Sequence, residues 1–287
     1  MTAPSTPADP AAARAALDAL TQDTLGLSLP ELLDADPGTL TQRAEARRQR
    51  HEALRQDNLE TVFRLAADRL GEAGRETPDS GWLARFLAGA GEAAGELERS
   101  VWAGLLAAEI AEPGSISRRT LAFLREMDTW ELASLAKYCA FAFTFESGWR
   151  FVFAEEAALR EIWVYERDVE QTAHWVRIGL LASAVERLEP GKLRGLRINY
   201  HSRAWELAGQ DTAEASACGY RKFTAIGQQI AGAITVKRWT GFARSIVKLL
   251  NTQHGMGWTE VAEPEPATTP DSLAAPDSGL WGYRPGG

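Results

Sequence analysis

The sequence predicts a mainly α-helical protein with a minor β component: an N-terminal helical region, then a winged-helix-like region carrying a small β-hairpin. Three observations predict it. Apolar residues recur at helical spacing through most of residues 39–143. The block 196–207 alternates apolar and polar residues on either side of a turn. From the middle of the chain onward the order reads helix, helix, strand, helix, hairpin, helix, as in winged variants of the helix-turn-helix. With 287 residues, 45% of them hydrophobic, the chain is long enough to bury a sizeable core.

Residues 1–38 read as a loosely ordered leader, with a short Ala-rich helix at Ala11–Leu20 and a second apolar run, Leu25–Leu33, broken by Pro30 and closed by Pro37-Gly38. The helical region is assigned to residues 39–112. Its first element is one long helix from about Thr39 to Leu70, since no Gly or Pro interrupts it. Only its second half, with Leu59, Val62, Phe63, Ala66 and Leu70 on one stripe, is expected to dock. Asp79 or Ser80 caps the next helix, which carries Trp82, Leu83, Phe86 and Leu87. Leu97, Val101, Leu105 and Ala108, with Trp102, Leu106 and Ile110, then make a face wide enough to be central to the core. Pro113-Gly114 stops that helix, and Ser115 or Ser117 caps its successor.

The winged-helix-like region is assigned to 115–258. Asp128-Thr129-Trp130-Glu131 has the spacing of a capping box and opens a helix through Leu132, Leu135, Cys139 and Phe143. Phe151-Val152-Phe153 reads as a short strand, and Glu166–Ile178 as a helix ending at Gly179. Residues 196–200 and 204–207 flank the turn His201-Ser202-Arg203 as a hairpin, the expected wing. Phe223–Ala231 returns to helical period, and Val236–Leu250 is a basic amphipathic helix. Residues 259–287 lack the apolar content to order themselves and read as a disordered acidic tail.

A net charge of −8 hides a polarity along the chain. From Gly191 to Trp258 ten cations face three acids, +7, whereas Thr259–Gly287 carries −4 and residues 1–190 carry −11. A basic module between acidic neighbours points to a polyanion, DNA or RNA, or to a protein partner. The first reading assigns nucleic-acid contact to Arg177, at the end of the expected recognition helix, and to Lys192, Arg194, Arg197, Arg203 and Trp205 around the hairpin. A core role for Trp205 is the equal alternative, and a solvated face balancing the acidic remainder is the alternative for the cations. Met1–Pro10 lacks the basic start and apolar core of a secretory signal. The longest uncharged stretch, Phe223–Val236, has 14 residues against the roughly 20 needed to span a bilayer. The chain therefore reads as soluble and cytoplasmic, without an integral membrane segment; its oligomeric state is open.

No enzyme motif emerges. Gly89-Ala90-Gly91-Glu92-Ala93-Ala94-Gly95 has the wrong glycine spacing for a dinucleotide loop and is read as close helix packing. His51, His174, His201 and His254 are scattered, Cys139 and Cys218 are far apart, and no G-x-S-x-G elbow is present. No cofactor, metal or catalytic residue is expected. Trp82, Trp102, Trp130 and Trp175 sit within apolar helical patterns and are assigned to the core.

The most specific stretch is Trp102–Ile110 running into Pro113–Leu121, with the pattern W-x-x-L-L-A-x-E-I-x-x-P-G-S-x-S-x-R-T-L. It resembles a block found in a bacterial family of unknown function that is distantly similar to abortive-infection (phage-exclusion) alpha proteins. The resemblance covers Gln49–Tyr138 and continues through Phe223–Ile230. It implies a bacterial, cytoplasmic, mainly helical protein and, by association, a phage-defence component; it carries no catalytic residues. The two functional expectations are thus non-enzymatic nucleic-acid or regulatory binding, and a protein-interaction component of a phage-exclusion system.

Overall fold

The computed structural model describes residues 9–70, 77–166, 172–189, 195–207, 216–237, 239 and 241–261. Among them the chain runs α1 (Pro10–Leu25), α2 (Leu29–Leu33), a 3-10 turn (Pro37–Thr39), α3 (Leu40–Ala67), α4 (Ser80–Ala90), α5 (Glu96–Ala111), α6 (Arg118–Arg125), α7 (Thr129–Cys139), β1 (Phe143–Phe145), β2 (Arg150–Phe153), α8 (Glu156–Tyr165), α9 (Thr172–Arg177), β3 (Glu186–Leu188), β4 (Arg197–Tyr200), β5 (Arg203–Leu207), β6 (Cys218–Lys222), α10 (Ala225–Ala233), α11 (Phe242–His254) and β7 (Trp258–Val261). None of the described helices is long and apolar enough to cross a membrane.

The expected helix starts are made by the expected side chains. Asp79 Oδ1 accepts from the Trp82 amide at 3.0 Å, and Ser117 Oγ, rather than Ser115, accepts from Thr120 at 3.1 Å. Glu131 Oε2 reaches back to the Asp128 amide at 3.2 Å, closing the capping box. The α5 helix is the hub: Val101, Trp102, Ala103 and Leu105 are buried, and it packs against α3, α4, α7 and α10.

The mainly helical, winged-helix expectation is corrected by the sheet. Among the described residues seven strands form one antiparallel sheet in the order β3-β6-β2-β1-β4-β5-β7, which makes the protein α+β. The hairpin exists, with Ile198 opposite Trp205 and a turn at His201-Ser202, but β1 flanks it on one side and β7 on the other. A wing must project from its domain, whereas these two strands are interior members of a ladder. The expected recognition helix fails as well. The α9 helix has six residues, two of which, His174 and Trp175, are buried. Glu166 closes α8 instead of opening a helix, and residues 167–171 of that expected helix lie outside the described residues.

Directly opposed residues share a face of a sheet. One face therefore gathers Phe143, Phe151, Phe153, Ile198, Tyr200, Trp205, Leu207 and Trp258, all buried. Phe143 is its centre, with Phe151, Phe153, Tyr200, Trp205 and Phe242 rings 5.1–6.4 Å away; Phe242 brings α11 down onto this face. The opposite face carries Arg150, Val152 and Arg221 on β2 and β6, and Arg197 on β4.

Candidate functional site

The two sequence blocks that carry the family resemblance meet in space. At the end of α5 the buried Glu109 carboxylate accepts the Gly114 amide through Oε1 at 2.9 Å and the Ile116 amide through Oε2 at 2.8 Å, so it holds the Pro113-Gly114-Ser115 turn from inside. Trp82 Nε1 donates to the Ile116 carbonyl at 2.9 Å. From α10, Gln229 Oε1 accepts from the Ser117 amide and Thr120 hydroxyl, while its Nε2 donates to the Ser115 carbonyl at 2.6 Å. Its neighbour Gln228 does the same for the β1–β2 turn, accepting from the Arg150 amide at 2.9 Å and donating to the Gly148 carbonyl at 2.8 Å. Two glycines allow the closest approaches. A Cβ at Gly227 would overlap the Leu180 carbonyl, and one at Gly89 would overlap the Trp102 ring, so Gly89 of the glycine-rich stretch lets α4 and α5 pack closely, whereas Gly95 has open space around it. These signature residues are thus a polar clamp between α5, α6 and α10.

A groove of about 610 Å³ opens elsewhere, where α8 and α9 meet β6. Its walls include Leu159, Ile162, Trp163, Ala173 and Val176, with Tyr138 from α7 and Arg221 from β6. Tyr138 Oη and Thr172 Oγ1 are 2.9 Å apart, and burial raises the Tyr138 hydroxyl pKa, so the phenol stays neutral. Arg221 Nη1 donates to the Ala182 carbonyl at 3.1 Å and to the Ser183 carbonyl. Among the described residues no carboxylate lies within ion-pair distance of Arg221. Glu156 and Arg160 pair with each other at 2.5 Å on exposed positions of the lining. Trp163 is 52% exposed beside them.

The residues assigned to nucleic acid from sequence are spread over several elements. Arg197 pairs with Glu206 at 2.8 Å and approaches Glu146 at 3.9 Å; Arg203 pairs with Glu260 at 2.8 Å. Trp205 is 2% exposed and belongs to the aromatic core. Arg177 is exposed on α9, where its Nη2 contacts His174 Nδ1 at 2.8 Å. Lys192 and Arg194 lie outside the described residues. Nearby, Lys222 pairs with Glu186 at 2.8 Å, and Arg244 approaches Glu260 at 3.5 Å. The groove residues Tyr138, Thr172, Trp163 and Arg221 escaped sequence reasoning. Tyr138 and Arg221 lie 83 positions apart in the chain, and only the pairing of β6 with β2 delivers Arg221 to this side of the sheet.

His174 is held at both ring nitrogens. Arginine only donates, so Nδ1 accepts from Arg177 and Nε2 carries the hydrogen given to Glu131 Oε1 at 2.8 Å. The ring ties α9 to the first turn of α7, under Trp130 at 5.2 Å. Trp130 itself is 42% exposed, contrary to its core assignment, because the face of α7 that carries it looks outward; Trp82, Trp102 and Trp175 are buried as expected. Burial pushes both thiols, Cys139 and Cys218, up to about 12, which keeps them protonated and poor nucleophiles. Among the described residues there is no group of three or more His, Cys, Asp or Glu side chains placed to hold a metal ion.

No curated protein and no solved structure matches the chain. The sequence model of one family matches residues 42–246, from the long helix α3 through most of the first half of α11, and the chain belongs to that family, described as "Protein of unknown function (DUF2806)".

Proposed function

We propose that this protein acts by binding rather than by catalysis, and that its ligand site is the groove between α8, α9 and β6. The ligand is a small molecule with an apolar body and one anionic group, a carboxylate or a phosphate ester. The observation that carries this reading is Arg221, a guanidinium without a carboxylate partner among the described residues, set in a lining that is otherwise mostly aliphatic and aromatic. A volume of about 610 Å³ suits a small-molecule site, and few polar groups in an apolar wall is how such sites fix orientation. The Tyr138 and Thr172 hydroxyls supply a neutral donor and acceptor beside the cation. Calorimetric titration of the full chain with decanoate and with decanol tests it. Decanoate should bind and decanol bind at least about tenfold more weakly, with Arg221→Gln erasing the difference, as expected for loss of a charge-assisted hydrogen bond. Equal affinity of both probes for the wild-type protein refutes the proposal.

A second reading, contact with DNA or RNA, keeps the support of the +7 segment and of Arg187 and Lys248, exposed cations that make no ion pair among the described residues. The pairing of Arg197 and Arg203 with acids argues against the hairpin as its centre. Fluorescence anisotropy of a labelled mixed-sequence duplex over a salt series decides this reading. Binding that falls steeply with salt and is lost in Arg187→Glu/Lys248→Glu supports it; absence of binding at low salt removes it. A phage-exclusion role rests on the sequence resemblance alone and predicts that deleting the gene raises phage plating efficiency.

A further inference from the structure

The N-terminal arm has no core of its own. Between Asp9 and Asp57, which covers α1, α2, the 3-10 turn and the first half of α3, Thr21 is the one buried residue among those described. Leu17, Leu20 and Leu25 of α1 are exposed, and Leu33, Leu40 and Leu54 are 62–68% exposed. Three helical pieces that bury no leucine are tied together by caps and a few polar contacts, such as the Leu29 amide on Asp18 and Arg50 on the Leu25 carbonyl, which offset little of the entropy of ordering them. On α3, Leu40, Arg47 and Leu54 recur every seven residues and so line one face.

The arm's charges are divided between its two halves. Residues 9–38 carry six acids and one arginine, whereas Leu40–Gln56 carries five arginines and two acids. Among the described residues, none of Asp18, Asp23, Glu31, Asp34 and Asp36 forms an ion pair, and neither does Arg47. A surface that is acidic on one helix pair, basic on the next helix and leucine-bearing on both is complementary to itself.

We infer that the arm is a homodimer interface, in which the acidic α1–α2 pair of one copy lies along the basic first half of α3 of a second copy, with the exposed leucines between them. Such a contact is reciprocal and closes under two-fold symmetry. The α1 helix and the projecting half of α3 are each about 25 Å long and about 10 Å wide. Together they offer on the order of 500 Å² of face per copy, at the small end of specific interfaces, so a dissociation constant in the micromolar range is expected.

Sedimentation velocity of the full chain from about 1 to 200 µM tests the inference. The wild-type protein should shift from monomer to a species of twice the 31.3 kDa chain mass, and the shift should weaken at high salt. Leu40→Glu/Leu54→Glu and, separately, Leu17→Glu/Leu20→Glu should each weaken it at least tenfold. The thermal midpoint of the monomeric body should stay unchanged, because no substituted side chain is buried. Arg47→Glu should weaken it without adding a charge to an apolar position. A wild-type protein that stays monomeric at 200 µM overturns the inference, as does a dimer indifferent to these variants.

Discussion

Replacing Glu109 with alanine takes away the one carboxylate, among the described residues, that reaches into the Pro113-Gly114-Ser115 turn. Two amides then lose their acceptor: Ile116 N, which is buried, and Gly114 N, which is partly buried. An unsatisfied buried donor costs about 1–3 kcal/mol, and the partly buried one about half as much because water replaces part of the bond. The truncated side chain, which is buried, also leaves a small void, adding about 1 kcal/mol. The sum is about 3–5 kcal/mol, a large part of the stability of an ordinary domain. At about 2–4 °C per kcal/mol for a protein of this size, the thermal midpoint should drop by about 6–20 °C. Glu109→Gln keeps one acceptor and should lose about half as much. Urea unfolding followed by tryptophan fluorescence and scanning calorimetry both report it, since Trp82 bonds the same turn. If both variants unfold within 1 kcal/mol of the wild type, the carboxylate does not hold the turn and the account of the signature block as a structural clamp is wrong.

Three further outcomes follow from the same geometry. Gly227→Ala sets a methyl group against the Leu180 carbonyl and should destabilise by more than about 2 kcal/mol in urea, whereas Gly114→Ala, with open space around it, should cost only the backbone strain of its left-handed φ of 86°. Because burial holds Cys139 and Cys218 up to about 12, an aromatic disulfide reagent at pH 8 should find no reactive thiol in the native protein and two in urea; rapid labelling of either in the native state would contradict their placement. The Glu186 carboxyl is held below its usual range, first by Lys222 and then by Tyr220. Its folded value lies below its unfolded one, so its contribution is present above the unfolded value near pH 4.3 and lost as pH falls through the folded value. Lys222→Met should flatten the stability-against-pH curve in that acidic window, and an unchanged curve would show that the pair contributes nothing.

Local chemistry in the sequence determined much of this protein. The caps at Asp79, Ser117 and Asp128 with Glu131 begin their helices because a side-chain acceptor and the amides it serves lie within three residues of one another. The long α3 follows from an uninterrupted run of helix formers, and the hairpin around His201-Ser202 from alternation and a turn. The burial of Trp82, Trp102 and Trp175 follows from helical period. Tertiary structure decided what needed distant partners. Phe143 reads as the end of a helix until β2 and β4 lie on either side of β1. Cys218–Lys222, with a glycine and two cations, reads as loop until β2 and β3 pair with it. Whether 197–207 is a projecting wing or the middle of a sheet depends on β1 and β7, which lie more than fifty residues away on either side. The groove is the extreme case. Tyr138, Thr172 and Arg221 carry no motif in the chain: Tyr138 and Thr172 stand on two different helices, α7 and α9, and Arg221 is placed by the register of β6 on β2, which is a property of two strands together.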